Sequence, residues 1–550
     1  MTKMDKFRAE LSFPGCGVGG IAVGGIQHRG AREYQEDSYG FSEVTSGKPL
    51  QRFTAVVADG MSGLSAGAFV SDYCVKKLLE ADIGTEDTPI HEQLTNAVRR
   101  ISGEIAAGGS RGGSTLAAVV CVPQGVYFCS VGDSRIYLLR GGVLTQITED
   151  GDYFSVLLER VISGGITFAQ AYSDPDKDSL SQYMGSGAFL TPDRNIIPFA
   201  PRAGDRILIC SDGVYNSMSG EEILQSLTLS AGAAVEDITG RILAKGYTNQ
   251  DNFTAVVLEF LPGDAPETAE AEQKQVKYDS CDFSSCTGSG GCERNEDSFF
   301  TGNGVFAVAD GLGGHKGGEK ASRAAVDHIS AHADGDYSPE RINELLEGAN
   351  ASVRALGEGM STIAAAFAEN GVFTCGNVGD SRVYYLRRGK IIARTRDHSV
   401  CQAAVELGQL DPEQIRGSED RSRLLKALGS GNSLNLRRDY APIGIQTGDS
   451  FVVCSDGFWE YVHEHEMEVD RLKSSCSAEW LRYMLKRLLM KSGDRGDNYT
   501  AVCGIFTDQP EQEKRLPKRR FNARLLLAAG IAALMLCALI VVLIFLAGGE

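Results

Sequence analysis

Four aspartates stand beside apolar, strand-like runs in the first half of this 550-residue chain, and the second half repeats the arrangement. The intervals between them are 74, 79 and 39 residues in the first half and 70, 76 and 41 in the second. A Glu-Asp pair precedes each set, at 36–37 and at 296–297. A repeat of this length is too long for a solenoid unit and indicates two whole domains. The aspartates are Asp59, Asp133, Asp212 and Asp251, then Asp310, Asp380, Asp456 and Asp497.

An Asp-Gly pair after a strand is usually turn chemistry, and each pair taken singly favours that interpretation. The repetition of all of them in one order favours a shared site instead. Converging carboxylates repel each other unless a cation neutralises them, and hard divalent ions prefer oxygen ligands. The pattern therefore predicts an oxygen-only Mg²⁺ or Mn²⁺ centre, which suits metal-assisted hydrolysis of a phosphate ester.

Strand-like runs such as RFTAVVADG and STLAAVVCV carry the aspartates, and helix-compatible stretches such as 66–80 and 91–107 lie between them. This order predicts an α+β fold in which each domain is an antiparallel β-sandwich covered by helices. The expected first domain spans 16–261, after a lead-in over residues 1–15. A Pro/Ala/Glu/Gln-rich linker spans 262–277, and the second domain spans 278–508.

Composition restricts the partners. The formal net charge of −18 argues against nucleic acid, because phosphate contacts need a basic surface. Most of the 14 cysteines stand singly in apolar runs, which is typical of a reducing compartment. Cys281, Cys286 and Cys292 are clustered, but their spacing matches no standard zinc pattern.

The last part of the sequence predicts a membrane anchor. Residues 525–547 are uncharged and long enough to cross a bilayer as one transmembrane helix, and a basic segment over 509–524 precedes them. The positive-inside rule then places both domains in the cytoplasm. The basic residues would equally suit contact with anionic lipid headgroups, and the sequence does not separate these two roles. The first residues lack a signal-peptide pattern.

The strings ED, DG, G-x-S-T, GDSR, SDG and DN-x-T occur in this order in both halves. In this order and spacing they resemble the metal-dependent serine/threonine protein phosphatases of type 2C (the PPM family), over residues 20–260 and 280–506. The resemblance implies an αββα sandwich with metals at one end. It also implies two Mg²⁺ or Mn²⁺ ions per domain, a weaker third position, direct attack by a metal-activated water, phosphoprotein substrates and a partner serine/threonine kinase.

The resemblance also implies roles for individual residues. Asp59 would bridge two metals, the Gly60 carbonyl and Asp133 would add ligands, and Arg32 would bind the phosphoryl group. His315 would either donate a proton to the leaving group or pack its loop. Asp212 and Asp251 would be further first-half ligands, Glu36 and Asp37 would hold ligands or metal-bound waters, and Asn252 would orient Asp251. The second-half set is Glu296, Asp297, Asp310, Gly311, Asp380, Asp456 and Asp497, with Asn498 in the orienting role.

The two halves depart from the family pattern in opposite ways. The second half has Cys292 at the position of Arg32, and its nearby Arg294 is two residues away from that position. Conversely, DGLGGHKGGEKAS (310–322) and RDHS (396–399) look like bacterial members, whereas the first half has DGMSGLSAG and EDGD there. Loss of a charge-assisted arginine contact weakens phosphate binding without removing the metal ligands.

These features favour a membrane-anchored cytoplasmic phosphatase acting on phosphoserine and phosphothreonine in proteins. Three alternatives remain open from the residues alone. The chain is a pseudophosphatase that binds phosphoproteins as a scaffold, or it combines one active domain with one regulatory domain, or it acts on small phosphate esters.

Overall fold

The structure, a computed structural model, describes residues 2–507 except 12, 15, 43–50, 62–65, 85–87, 110–111, 264–279, 313–316, 334, 336, 432, 435 and 437–440. His315, most of the expected linker, the basic segment 509–524 and the expected transmembrane segment 525–547 lie outside the described residues. Among the helices that the structure describes, none is both long enough and apolar enough to cross a bilayer.

The first half forms two antiparallel sheets. One has six strands in the order β1-β2-β13-β12-β9-β10, and the other has five in the order β11-β8-β7-β4-β3, while β5 and β6 form a short ribbon. The strands are β1 (Thr2–Ala9), β2 (Val18–His28), β3 (Ser38–Phe41), β4 (Phe53–Ala58), β5 (Gly60–Met61), β6 (Gly113–Ser114), β7 (Leu116–Val122), β8 (Gly125–Val131), β9 (Arg135–Arg140), β10 (Val143–Gln146), β11 (Asp193–Arg194), β12 (Arg206–Cys210) and β13 (Phe253–Pro262).

Helices cover both outer faces of this sandwich. Alternate side chains of a strand point to opposite faces, so that Val119 lies between the sheets and Val120 lies under α1 and α2. The helices are α1 (Ala66–Glu80), α2 (Ile90–Ala107), α3 (Tyr153–Ile162), α4 (Phe168–Tyr172), α5 (Asp212–Tyr215), α6 (Gly220–Leu227) and α7 (Ala231–Ala244). Buried residues of α5, α6 and α7 pack on the six-stranded sheet.

The second half repeats the plan with two five-stranded sheets, β14-β25-β24-β21-β22 and β15-β16-β19-β20-β23, and a β17-β18 ribbon. The strands are β14 (Ser280–Gly288), β15 (Ser298–Gly302), β16 (Val305–Ala309), β17 (Gly311–Leu312), β18 (Met360–Ser361), β19 (Ile363–Glu369), β20 (Val372–Val378), β21 (Arg382–Arg387), β22 (Lys390–Arg394), β23 (Ile443–Gly444), β24 (Ser450–Cys454) and β25 (Tyr499–Thr507). The helices are α8 (Gly318–His332), α9 (Pro339–Ala355), α10 (Val400–Glu406), α11 (Asp456–Trp459), α12 (Glu464–Lys473) and α13 (Ser477–Ser492), with a 3₁₀ turn at Pro412–Gly417.

The predicted α+β class, with antiparallel sheets flanked by helices, is therefore confirmed. One difference concerns residues 1–15, which were expected to be a lead-in. Residues 2–9 form β1, which pairs along its whole length with β2. Most of its side chains are exposed, which suits an edge strand with charged residues.

The two halves pack against each other through α12 and α13. Leu158 of α3 is buried in one apolar cluster with Trp480 and Leu485 of α13. The backbone carbonyl of Leu472, at the end of α12, accepts hydrogen bonds from the amides of Ile196 and Ile197, at 2.9 and 3.1 Å. The second half thus contributes both apolar and backbone contacts to the first.

Candidate metal centres

The four first-half aspartates meet at one end of the sandwich because each follows or precedes a central strand. Asp59 follows β4, Asp133 follows β8, Asp212 follows β12 by one residue, and Asp251 lies just before β13. They line a cavity of about 470 Å³. The other predicted residues on its wall are Arg32, Glu36, Gly60 and Asn252, joined by Glu33, Tyr34, Met61, Thr115 and Leu180.

Asp37 is the one predicted first-half residue that is not on the cavity wall; it is buried, with 2% of its surface exposed. Its Oδ2 accepts a hydrogen bond from Ser211 Oγ at 2.7 Å, whereas its Oδ1 has no hydrogen-bond partner among the described residues. Burial raises the pKa of Asp37 to about 7 against the effect of the Ser211 bond, and the nearby Asp212 and Asp251 add to the rise. A buried carboxylate oxygen without a partner is costly, and a cation would satisfy it.

The cavity carboxylates also destabilise each other's charged forms. Burial raises the pKa of Asp59 well above its usual value, and the charges of Asp37, Asp212 and Asp133 add to that rise. Burial likewise raises the pKa of Asp133, to about 6, with a further contribution from Asp212. Buried carboxylates that destabilise each other's ionised forms are suited to binding divalent cations, which would neutralise them.

Arg32 supplies a positive charge at this cavity. Its Nη2 donates to Asp251 Oδ2 at 2.6 Å, and the side chain is more than half exposed. The guanidinium therefore stands at the mouth beside the carboxylates, where its planar fork can meet a phosphoryl group.

Asn252 contacts Asp251, the residue it is predicted to orient, and also a neighbouring loop. Its backbone amide donates to Asp251 Oδ1 at 2.8 Å, but its side chain fixes the loop that carries Arg32 and Glu36. Asn252 Oδ1 accepts from the Glu36 amide at 2.7 Å, and Nδ2 donates to the Arg29 and Tyr34 carbonyls at 2.7 and 3.0 Å. Asn252 thus holds the loop that carries Arg32 as well as contacting Asp251.

Hydroxyl groups that the sequence left without a chemical role hold the aspartates. Thr115 Oγ1 accepts from the Asp59 amide at 3.0 Å, and Ser114 Oγ donates to the Asp59 carbonyl at 2.9 Å. Ser211 holds Asp37 across the sandwich. The signal for Ser211 was its position directly before Asp212 in both copies of the SDG string. Gly60 is required for close approach, since a Cβ there would clash with the carbonyl oxygens of Glu36 and Gly67.

The second half repeats these contacts. The Glu296 amide donates to Asn498 Oδ1 at 2.8 Å, and Ser455 Oγ donates to Asp297 Oδ2 at 2.7 Å. Asp297 Oδ1, like its counterpart Asp37 Oδ1, is buried without a hydrogen-bond partner among the described residues. Gly311, the counterpart of Gly60, also lies close to another backbone segment, since a Cβ there would clash with the backbone of Gly318.

The second-half carboxylates also converge electrostatically. Burial raises the pKa of Asp297 to about 6 and that of Asp380 to about 7. Burial raises the pKa of Asp310 and of Asp456 well above the usual value. The charges of Asp297, Asp380 and Asp497 add to the rise at both, and the charge of Asp456 adds to it at Asp310. These second-half aspartates therefore lie close enough for their charges to act on one another.

The position of Arg32 is where the halves differ. Its counterpart in the second half, Cys292, has its Sγ 3.4 Å from Asp497 Oδ1, the oxygen that also accepts the Asn498 amide. The Arg32 guanidinium instead contacts Asp251 Oδ2, while the Asn252 amide donates to Oδ1. The two side chains thus contact matching aspartates through different oxygens. His398 of the RDHS string lies beside the site, with its Nδ1 3.3 Å from the Gly379 amide next to Asp380.

Comparisons with known proteins find similar sequences among phosphatases. A family model described as protein phosphatase 2C matches residues 24–238 and 291–492. The serine/threonine phosphatase stp of Listeria monocytogenes is 31% identical over 241 residues, which is 42% of this chain and 91% of that protein. The serine/threonine protein phosphatase PstP of Mycobacterium tuberculosis is 32% identical over 218 residues, covering 38% of this chain and 41% of PstP.

Solved structures are similar to about half of the chain. The crystal structure of the Mycobacterium tuberculosis phosphatase PstP/Ppp is 29% identical, with a TM-score of 0.37, and the match covers 44% of this chain and 99% of that one. The catalytic domain of PstP in complex with two manganese ions gives 29% identity and a TM-score of 0.36, over 44% of this chain and 98% of that one.

Proposed function

The chain belongs to the protein phosphatase 2C family, and we propose that it hydrolyses phosphoserine and phosphothreonine in proteins with the help of Mg²⁺ or Mn²⁺. The observation that carries the proposal is the cavity on which Arg32, Glu36 and four aspartates converge above the buried Asp37. The relatives named as serine/threonine phosphatases support the substrate class.

The donor set fits divalent cations. It consists of oxygens only, it carries more negative charge than the adjacent Arg32 balances, and Asp37 Oδ1 is buried without a partner. Asp59, the Gly60 carbonyl, Asp212, Asp251, Glu36 and Asp37 would hold two ions in the first half, with Asp133 at a weaker third position. When bound, such ions polarise phosphoryl oxygens and lower the pKa of water.

The chain's own groups then orient the substrate. The Arg32 fork can donate two hydrogen bonds to phosphoryl oxygens at the cavity mouth. Asn252 keeps the Arg32 loop in place through the Arg29 and Tyr34 carbonyls. The side chains of Met61 and Leu180 add an apolar part to the wall, against which the substrate chain can pack.

Purified full-length protein and a phosphothreonine peptide provide the test. We expect turnover with Mn²⁺ or Mg²⁺ and none with EDTA. Asp59→Asn and Asp310→Asn should each lower turnover at the altered site by about a hundredfold or more, because a metal ligand supports several kcal/mol of transition-state stabilisation. Metal-independent turnover would contradict the proposal. Faster turnover of an aryl phosphate than of any phosphopeptide would favour small esters as substrates.

A second candidate is one working site beside a regulatory half, and the contact between the halves favours it. Lys486 of α13 is 8% exposed and forms ion pairs with Glu149 and with Glu159, the latter at 2.7 Å. Gly151 lies two residues after Glu149, and its amide donates to the Gly132 carbonyl at 2.8 Å. Gly132 directly precedes Asp133 in the sequence. The second half thus supports the segment beneath the first site. If only Asp59→Asn abolishes turnover, the second half is regulatory.

The location is part of the same proposal. An uncharged run over 525–547 with basic residues before it would anchor the protein, with both halves in the cytoplasm beside a serine/threonine kinase that supplies substrates. Membrane fractionation of the full chain and of a chain ending at residue 508 tests the anchor. The full chain should sediment with membranes and the shortened chain should not.

A further inference from the structure

The second site has no arginine where the first site has Arg32, yet a cation is available two residues further along the same loop. We propose that Arg294 is the phosphate-binding residue of the second site and holds a phosphate monoester or inorganic phosphate there. This inference rests on the proposed function, since it assigns the anion-binding group of one of its two sites.

The two loops have the same backbone arrangement. In the first half, the Asn252 side chain bonds the Arg29 carbonyl, the Tyr34 carbonyl and the Glu36 amide at 2.7, 3.0 and 2.7 Å. In the second half, the Asn498 side chain makes the same three hydrogen bonds. Its partners are the Ser289 carbonyl at 3.0 Å, the Arg294 carbonyl at 2.9 Å and the Glu296 amide at 2.8 Å. Arg294 therefore occupies the backbone position of Tyr34.

That position faces the site. Tyr34 lines the first cavity together with Arg32 and the aspartates, while 53% of its surface remains exposed at the mouth. A side chain on the matching backbone of the second half starts at the same mouth. Arg294 is exposed, and within the described part of the chain its side chain makes no ion pair or hydrogen bond. Its guanidinium is thus available for an anion.

The neighbouring residue leaves room for it. Cys292 is much smaller than the Arg32 side chain and lies 3.4 Å from the Asp497 carboxylate. Cys292 therefore takes up less space beside Asp497 than Arg32 takes up beside Asp251. A longer side chain at 294 can extend across that space and present its fork to a phosphoryl group.

Other arginines near the second site fit less well. Arg421 is paired with Glu460 at 2.6 Å. Arg495 lies two residues before Asp497, but its first-half counterpart, Asn249, is not on the cavity wall. Tyr34, the counterpart of Arg294, is on that wall, so position 294 is the better placed of the two.

The experiment measures phosphate binding at the second site alone. The full chain carries Asp59→Asn and Arg32→Ala to disable the first site, and inorganic phosphate is titrated calorimetrically in the presence of Mn²⁺. Adding Arg294→Ala should weaken phosphate binding about tenfold or more, because a charge-assisted contact is lost. Arg294→Lys should recover part of the loss. Arg495→Ala, and Arg8→Ala on the exposed edge strand β1, serve as matched controls and should change nothing.

The outcomes separate this inference from the proposed function. Unchanged phosphate affinity in Arg294→Ala, an equal loss in Arg495→Ala, or no phosphate binding in the background chain would each overturn the inference. Phosphopeptide turnover by a chain with Asp310→Asn alone would still support the proposed function in any of these cases. Conversely, an Arg294-dependent affinity in a chain that never turns over substrate would keep the inference and remove the proposed function. Manganese binding, measured alongside, should be the same with and without Arg294→Ala.

Discussion

The two halves hold their carboxylates in the same way and differ in how they supply positive charge. Beside the last aspartate, the first half has a guanidinium at 2.6 Å and the second half has a thiol at 3.4 Å. Around both, serine and asparagine side chains make matching hydrogen bonds. The arrangement of the carboxylates is thus kept in both halves, while the group beside the last aspartate changes.

A second difference lies beneath the sites. In each half an arginine of the GDSR string pairs with an aspartate and stacks on an aromatic ring: Arg135 with Asp150 and Tyr215, and Arg382 with Asp397 and Trp459. The first pair is partly exposed, at 24% and 14%, whereas the second is 1% exposed on both sides. The ion pair of the second half is thus more completely buried than that of the first half.

We expect the largest loss of stability when the buried Arg382–Asp397 pair is broken. Arg382→Met leaves Asp397 without its partner in a dry environment and should cost about 3–5 kcal/mol of unfolding free energy. Arg135→Met should cost clearly less, because solvent reaches both members of its pair. Chemical denaturation of the full-length variants measures both values. Equal losses in the two variants would show that the difference in burial has no energetic consequence.

The next effect concerns phosphate binding at the first site. Arg32→Ala should raise the KM for a phosphopeptide about ten- to a hundredfold, because a hydrogen bond from a charged group is lost. The converse variant, Cys292→Arg, should strengthen phosphate binding at the second site. Steady-state kinetics in Asp310→Asn and Asp59→Asn backgrounds, respectively, isolate each site. A Cys292→Arg chain with weaker phosphate binding would mean that the two loops are not equivalent.

The contact between the halves gives a smaller effect. Lys486→Met leaves Glu149 and Glu159 without their shared partner and should cost about 1–3 kcal/mol of unfolding free energy, since Glu159 is partly exposed. First-site turnover should fall with it, while metal-dependent turnover at the second site should persist. Lys177→Met is a matched control, because Lys177 forms an ion pair with the exposed Asp178 and does not join the two halves. First-site kinetics unaffected by Lys486→Met would contradict the proposed support of Asp133.

The smallest effect is a difference in acid sensitivity. Burial disfavours the charge of Glu464, but Arg416, Arg382 and Arg394 outweigh it and hold the pKa of Glu464 at about 2. Its stabilisation is therefore complete above its usual pKa of 4.5 and is lost as the pH falls from there towards 2. Gly220 stands at the matching position in the first half.

Glu464→Gln should accordingly lower the melting temperature at pH 6 and leave it nearly unchanged at pH 2. The loss at pH 6 corresponds to about 1–3 kcal/mol, in line with a lowered pKa of this size. Thermal unfolding across this pH range measures it. A loss of the same size at both pH values would indicate a packing effect rather than a charge effect.

Local sequence patterns were sufficient to predict the strand-end aspartates, since each follows or precedes an apolar run that alternates between two buried faces. The doubled strings also located Arg32 and the substitution at Cys292. The edge strand β1 was missed because the charged residues of TKMDKFRA are typical of an exposed segment. The Ser211–Asp37 bond joins residues 174 positions apart, and the Lys486–Glu149 pair joins residues 337 positions apart. The repeated SDG string marks Ser211 but not its partner Asp37, and the Lys486–Glu149 pair has no local pattern. His315 and the anchor stay predictions.

Manganese binding shows whether each half gathers its carboxylates around divalent cations. Mn²⁺ titrations followed by electron paramagnetic resonance would compare the full chain with Asp59→Asn, Asp310→Asn and the double variant. We expect each single variant to lose the ions of one half and the double variant to lose nearly all tight binding. Unchanged manganese binding in the double variant would mean that these carboxylates do not hold the divalent cations.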